Sequence, residues 1–109
     1  MTAIYARVSS HKQKDDLERQ VQRVQDYCAS KGWQVGKIVK EVASGVNDDR
    51  PKLNALLTDP KVTRIVAEHK DRLTRAGYHY IHQLLVMQGR EVVVINLADT
   101  DNDDLLADL

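Results

Sequence analysis

Apolar positions along this chain fall into short strand-like runs that alternate with stripes at helical spacing. Ala3-Ile4-Tyr5-Ala6-Arg7-Val8 predicts a first strand. From about Asp15 to Lys31, Leu17, Val21, Val24 and Cys28 recur at i, i+4, i+7 and i+11, which predicts a long helix, and Gly32 stands where a C′ residue belongs. Trp33 to Val42 reads as a second strand. Pro51 then opens a short helix with Leu53, Leu56 and Leu57 inward, stopped by Asp59-Pro60. Arg64 to Glu68 makes a third strand, and a helix from about Tyr78 to Gln88 turns Ile81, Leu84 and Leu85 inward and ends at Gly89. Glu91 to Asn96 contains Val92-Val93-Val94-Ile95, a continuous run that predicts a strand covered on both sides. Strand and helix alternate throughout. The expected fold is therefore α/β, a three-layer α/β/α arrangement around a mainly parallel sheet of about four strands.

Composition narrows the function classes. At 109 residues and 42% hydrophobic content, there is room for one domain with one core. The 16 basic and 16 acidic residues cancel, but Asp99, Asp101, Asp103, Asp104 and Asp108 lie in a tail without basic residues. Residues 1–98 therefore carry a net +5, a mild bias towards a polyanionic partner. The single cysteine, Cys28, forms no internal disulfide and falls on the apolar stripe. No N-terminal signal pattern and no membrane-length apolar run is present, so a cytoplasmic protein without a membrane partner is expected.

Chemistry gathers at the strand ends. The first strand empties through Arg7 into Ser9 and Ser10 where a helix begins, and free backbone N–H groups at such a junction, with the helix dipole, make a natural phosphate site. Ser44, Gly45 and Arg50 follow the second strand; Asp71, Arg72 and Arg75 follow the third. In a parallel sheet these ends share one edge and should converge. Four arginines around one serine suit metal-free phosphoryl transfer, since guanidinium forks can hold nonbridging phosphate oxygens bidentately. No metal or other cofactor is expected. His79 and His82, one turn apart, lack a carboxylate or cysteine partner and read as a solvated pair.

Each feature also has a simpler explanation. Ser9 alone would be a helix cap, Ser44-Gly45 a turn, Arg72 with Arg75 an exposed face, and Trp33 packing on the last helical turn rather than a base-stacking platform. Their occurrence together, in order, on three successive strand ends favours a site.

The blocks Tyr5-Ala6-Arg7-Val8-Ser9-Ser10-(x)2-Gln13, Ser44-Gly45 with Arg50, and Asp71-Arg72-Leu73-(x)-Arg75 resemble the catalytic domain of the serine recombinases, the resolvase/invertase family, and within it the IS607-type transposases. The resemblance runs from Ile4 to about Asn96. It implies a resolvase-like sheet of flavodoxin-like order and, over 1–98, a domain that cleaves and rejoins DNA. It places Ser9, which directly follows the Arg-Val pair, as nucleophile. Arg7, Arg50, Arg72 and Arg75 take the family's active-site arginine positions and Asp71 its aspartate. Gln13 and Gln20 match its polar helix-start residues, and Ser44 and Gly45 its active-site loop. Asp71 is either general acid towards the leaving 3′-oxygen or an ion-pair partner that orients Arg7 or Arg72. DNA and further copies of the protein are the implied partners, with tetramers in the full-length proteins.

Family members continue into a long subunit-joining helix, and IS607-type proteins place a helix-turn-helix domain ahead of the catalytic one. Here residues 99–109 read as the acidic start of a truncated C-terminal helix, and the expectation is a fragment or decayed gene product, monomeric or weakly dimeric and inactive alone. Two other classes compete: a noncatalytic module that pairs with full-length recombinase, and an unrelated phosphate-binding domain. A glycine-rich nucleotide loop would favour the latter, and Ser9-Ser10-His11-Lys12 is not one.

Overall fold

A computed structural model describes residues 1–43, 50–74 and 77–95. In chain order its elements are β1 (Thr2–Val8), a 3-10 turn (His11–Gln13), α1 (Lys14–Ser30), β2 (Val35–Val42), α2 (Pro51–Leu57), β3 (Arg64–Ala67), α3 (Lys70–Leu73), α4 (Tyr78–Met87) and β4 (Glu91–Val94). The strands form one parallel sheet in the order β2-β1-β3-β4.

Strand alternation splits the core between the two faces of the sheet. Ala3, Tyr5, Ile65, Ala67 and Val92 meet Leu53, Leu56, Leu73 and Leu85 from α2, α3 and α4. Ile4, Ala6, Val8 and Val66 meet the α1 stripe of Leu17, Val21, Val24 and Cys28. The three-layer expectation holds. Both long helices end as their glycines require. At Gly32 (φ 74) the Trp33 amide donates to the Cys28 carbonyl at 2.9 Å and the Gly32 amide to Ala29 at 3.0 Å; Gly89 (φ 71) repeats the pattern on Leu85 and Val86. Trp33 packs edge-on against Tyr27 of the last turn, centroids 6.0 Å apart, and so serves the core.

Two readings of the apolar pattern need correction. Leu84 is 52% exposed rather than inward; with Tyr80 and Met87 it forms an outer stripe on α4, whereas Tyr78, Ile81 and Leu85 face the core. β4 is an edge strand, and Val92 alone of its apolar run is fully buried, with Val93, Val94 and Ile95 half-covered. The segment Lys70–Leu73, between β3 and α4, is a single helical turn. The 99–109 tail and the domain limit at 98 lie outside the described residues. Among the described residues no helix is long and apolar enough to cross a membrane.

β1 is longer than its β3 partner. It pairs with β2 along its full length but with β3 only through Thr2, Ala3 and Ile4. Its last residues therefore reach the carboxyl edge of the sheet with one side open, which is where the candidate site is built.

Candidate active site

The open side of β1 is completed by a side chain. The Arg7 amide donates to Oε1 of Gln20 at 3.0 Å, and Nε2 of Gln20 donates to the Arg7 carbonyl at 3.1 Å. The buried Gln20 amide on α1 thus does for Arg7 what a neighbouring strand would do, and leaves no backbone polar group unpaired there. α1 is also pinned to the end of β3, where Arg23 holds the buried Glu68 carboxylate through two hydrogen bonds, one of 3.0 Å.

Arg7 itself is 4% exposed. Its guanidinium donates from Nη1 to the Ala43 carbonyl (2.7 Å), from Nη2 to Asp71 (2.8 Å) and from Nε to Arg72 (3.0 Å). Arg50, equally buried, donates from Nη1 to the carbonyls of Arg72 (3.1 Å) and Leu73. Two arginines from different strand ends therefore share the Arg72 carbonyl and tie the β1, β2 and β3 ends together. Burial lowers the proton affinity of Arg7, and the charges of Arg50 and Arg72 lower it further; Tyr5 and Asp71 oppose them. Three crowded guanidinium groups make a place where an anion is welcome. Arg72 supplies the opening: its Nε is buried and has no hydrogen-bond partner.

Ser9 is exposed at the rim, and among the described residues nothing ties its hydroxyl. Its backbone is held differently from the sequence-based expectation. The amides of Ser9 and Ser10 both donate to Oε1 of Gln13, each at 3.1 Å. The Gln13 side chain thus takes two of the amides at the junction, in the manner of a capping box. Asp71 is exposed, with its backbone rather than its carboxylate bonded to Arg7. The structure brings Ser9, Arg7, Arg50, Asp71, Arg72, Gln13 and Gln20 to one edge of the sheet. Ser44, Gly45 and Arg75 lie outside the described residues. Among the described residues no group of three or more His, Cys, Asp or Glu side chains is placed to hold a metal ion.

The family described as "Resolvase, N terminal domain" matches residues 2–109. This chain belongs to it. Among solved structures, the resolvase-family domain is similar to the C-terminal catalytic domain of IS1535 TnpA, an IS607-like serine recombinase. That likeness has a TM-score of 0.83 and 43% identity, over 92% of this chain and 74% of that one. The catalytic domain of ISC1926 TnpA, also IS607-like, gives 0.82 and 38% over 97% and 77%. A Mycobacterium tuberculosis protein, Rv2886c, is 44% identical over 108 residues, which are 99% of this chain and 36% of the relative. The chain thus spans about a third of the length of that relative.

Glu41 of this resolvase-family domain, and its contact with Tyr5, went unread in the sequence. Glu41 is buried on β2, and its carboxylate accepts the Tyr5 hydroxyl at 2.7 Å and the amides of Lys52 and Leu53 at 3.0 and 3.2 Å. Arg50 occupies the N-cap of α2 with no side-chain cap of its own. The missing cap was the available signal, and a carboxylate from another strand answers it.

Burial, and after it Glu41, raises the Tyr5 phenol well above its ordinary value of 10.0, against a downward pull from Arg50. Burial also raises Tyr78 and Cys28. These groups stay protonated in the fold when their unfolded counterparts ionise, so the stability they contribute is present below the unfolded values and lost as pH rises past them. Urea midpoints should hold from neutrality to about pH 8, begin to fall as the unfolded Cys28 thiol ionises, and fall steeply above about pH 10, where unfolded phenols ionise. Tyr5→Phe should make that fall shallower; a profile unchanged by Tyr5→Phe would contradict the assignment.

Proposed function

We propose that this domain cleaves and rejoins DNA strands through a 5′-phosphoserine at Ser9, in site-specific recombination or transposition. The observation that carries the reading is an untethered serine hydroxyl at the end of β1, on the same edge of the sheet as Arg72, whose buried Nε lacks a partner. Ser9 Oγ attacks the scissile phosphorus, a P–Oγ bond replaces the P–O3′ bond, and the serine proton is balanced by the one the 3′-oxygen takes up. The ester keeps the bond energy, so rejoining is the same step reversed. Arg72 and the remaining N–H groups of Arg7 hold the nonbridging oxygens as charge builds on them. Asp71, exposed on α3, is either the general acid towards the leaving 3′-oxygen or an orienting partner, and its pull on Arg7 supports the orienting role. Gln13 holds the Ser9 amide and so aims the nucleophile; Ser44, Gly45 and Arg75 are proposed as site residues on their match to the family's blocks alone.

DNA and further copies of the protein are the proposed partners, in the cytoplasm. The net +5 of residues 1–98 implies weak, salt-sensitive and sequence-independent DNA binding by the 109-residue chain, which is proposed to be a monomer or weak dimer inactive alone. A second reading, a noncatalytic module pairing with a longer recombinase, is favoured by the exposed stripe Tyr80, Leu84 and Met87.

The test is a nicked suicide substrate offered to a longer protein that carries this domain. A covalent protein–DNA adduct should form and persist in excess EDTA. Strict Mg²⁺ dependence, or no adduct at all, would overturn the reading.

A further inference from the structure

The gap beside the end of β1 is bridged from α1 by two side chains one turn apart. β1 and β3 pair only as far as Ile4 and Val66, and beyond that point the two chains carry Arg7 and Glu68 onward unpaired with each other. On the β1 side, Gln20 of α1 takes the Arg7 amide and carbonyl. On the β3 side, Arg23 stands three residues after Gln20 on the same helix, so the two side chains leave neighbouring positions of one face. Arg23 donates from Nε to one oxygen of the buried Glu68 carboxylate and from Nη2 to the other, the second bond at 3.0 Å. The next residue, His69, is the N-cap of α3, and its carbonyl accepts the Arg72 amide at 3.1 Å. α1 therefore reaches from the strand that delivers Ser9 to the turn that delivers Asp71 and Arg72.

We propose that Arg23 and Glu68 are positioning residues that set the spacing between the nucleophile half and the phosphate-binding half of the site. This rests on the reading of Ser9 as nucleophile and Arg72 as phosphate ligand. Arg7 and Arg50 hold the α3 backbone from the α2 side of the sheet, through carbonyls of Asp71, Arg72 and Leu73. The Arg23–Glu68 contact lies on the opposite, α1 side, with Val66 of the same strand, so the entry to α3 is held from both faces and cannot pivot about either. Stability alone is a poor account of the pair. Arg23 is half-exposed, where an ion pair contributes little, and well-packed apolar groups often stabilise a core as well as a buried carboxylate does. A two-pronged arginine–carboxylate contact instead fixes both a distance and a plane.

The decisive variant replaces both partners at once, Arg23→Met with Glu68→Met, so that no buried charge is left unpaired and stability and geometry are tested apart. In the 109-residue chain its melting temperature should stay close to that of the wild type, while side-chain NMR shows the Arg72 Nε–H and Gln20 amide signals shifted or broadened. In a longer protein carrying the domain, the rate of covalent adduct formation on saturating nicked suicide DNA should fall about tenfold or more, with DNA affinity unchanged, because misplacement acts on the reacting geometry and not on binding. Leu85→Ala, which opens the core under α4, should lower the melting temperature and leave those signals and that rate in place. A double variant with wild-type rate and unmoved signals would overturn the proposal, as would a Leu85→Ala variant slowed to the same extent. Should the wild-type longer protein form no adduct, the nucleophile reading fails, and the spectra of the 109-residue chain still decide whether Arg23 and Glu68 locate Arg72. If the double variant does not fold, Arg23→Lys decides: it keeps the charge but gives up the fork, so the Arg72 signal should move, and an unmoved signal would overturn the proposal.

Discussion

Ser9→Ala in a longer protein carrying this domain should abolish the covalent DNA adduct, while Ser10→Ala should keep it. Both serines are exposed, and both amides are held by the same Gln13 oxygen, so the backbone supports either substitution equally. What separates them is chain geometry. Ser9 directly follows β1, whose last residues carry the Arg7 guanidinium to the α3 backbone, whereas Ser10 is the N-cap of the turn that leads into α1. Loss of a nucleophile that forms a covalent intermediate removes the intermediate itself, so the expected drop is to background rather than a graded one. Loss of the Ser10 hydroxyl removes at most a cap, worth about 1 kcal/mol to the turn. Denaturing gel shift with peptide mapping reads both outcomes. An adduct mapped to Ser10, or one that survives Ser9→Ala, would reverse the assignment.

The elements most legible in the sequence were those with a local cause. The α1 stripe and its stop at Gly32 depend only on helical period and a C′ glycine, and both stand as read. α4 was harder because it carries no Asp, Glu, Lys or Arg to mark its solvent side. With apolar residues on both faces, periodicity could not tell the inner Leu85 from the outer Leu84. The strand ends that form the site followed from topology, since a parallel sheet brings its carboxyl ends to one edge. The distribution of arginine donors did not follow. Carbonyls occur at every position of the chain, so nothing in the sequence marks those of Ala43, Asp71 and Arg72 as the partners of Arg7. The Gln13 contact was readable in principle from Ser10-(x)2-Gln13, a capping-box spacing, and its consequence is that the Ser9 and Ser10 amides are taken.

That distribution of donors separates the arginines by experiment. Arg72→Lys should lower adduct formation on the order of 100-fold in the longer protein with little loss of stability, because lysine keeps the charge but not the planar fork. Arg72 is half-buried and its Nε bonds to nothing, so the fold does not rely on it. Arg7→Lys should lose activity to a similar extent and destabilise the domain as well. Its guanidinium donates from three nitrogens to carbonyls of two separate segments, and a lysine ammonium on a flexible stem cannot reach all three in that geometry. Buried carbonyls left without donors cost about 1–3 kcal/mol each, which for a domain of this size is a fall of many degrees in melting temperature. Arg50→Lys should resemble Arg7→Lys, since Arg50 too is spent on the α3 backbone. Melting temperature and adduct yield, measured on the same three variants, give the comparison. Equal destabilisation by Arg72→Lys and Arg7→Lys would mean that Arg72 is structural, and a stable, active Arg7→Lys would mean that its carbonyl contacts do not hold the strand ends together.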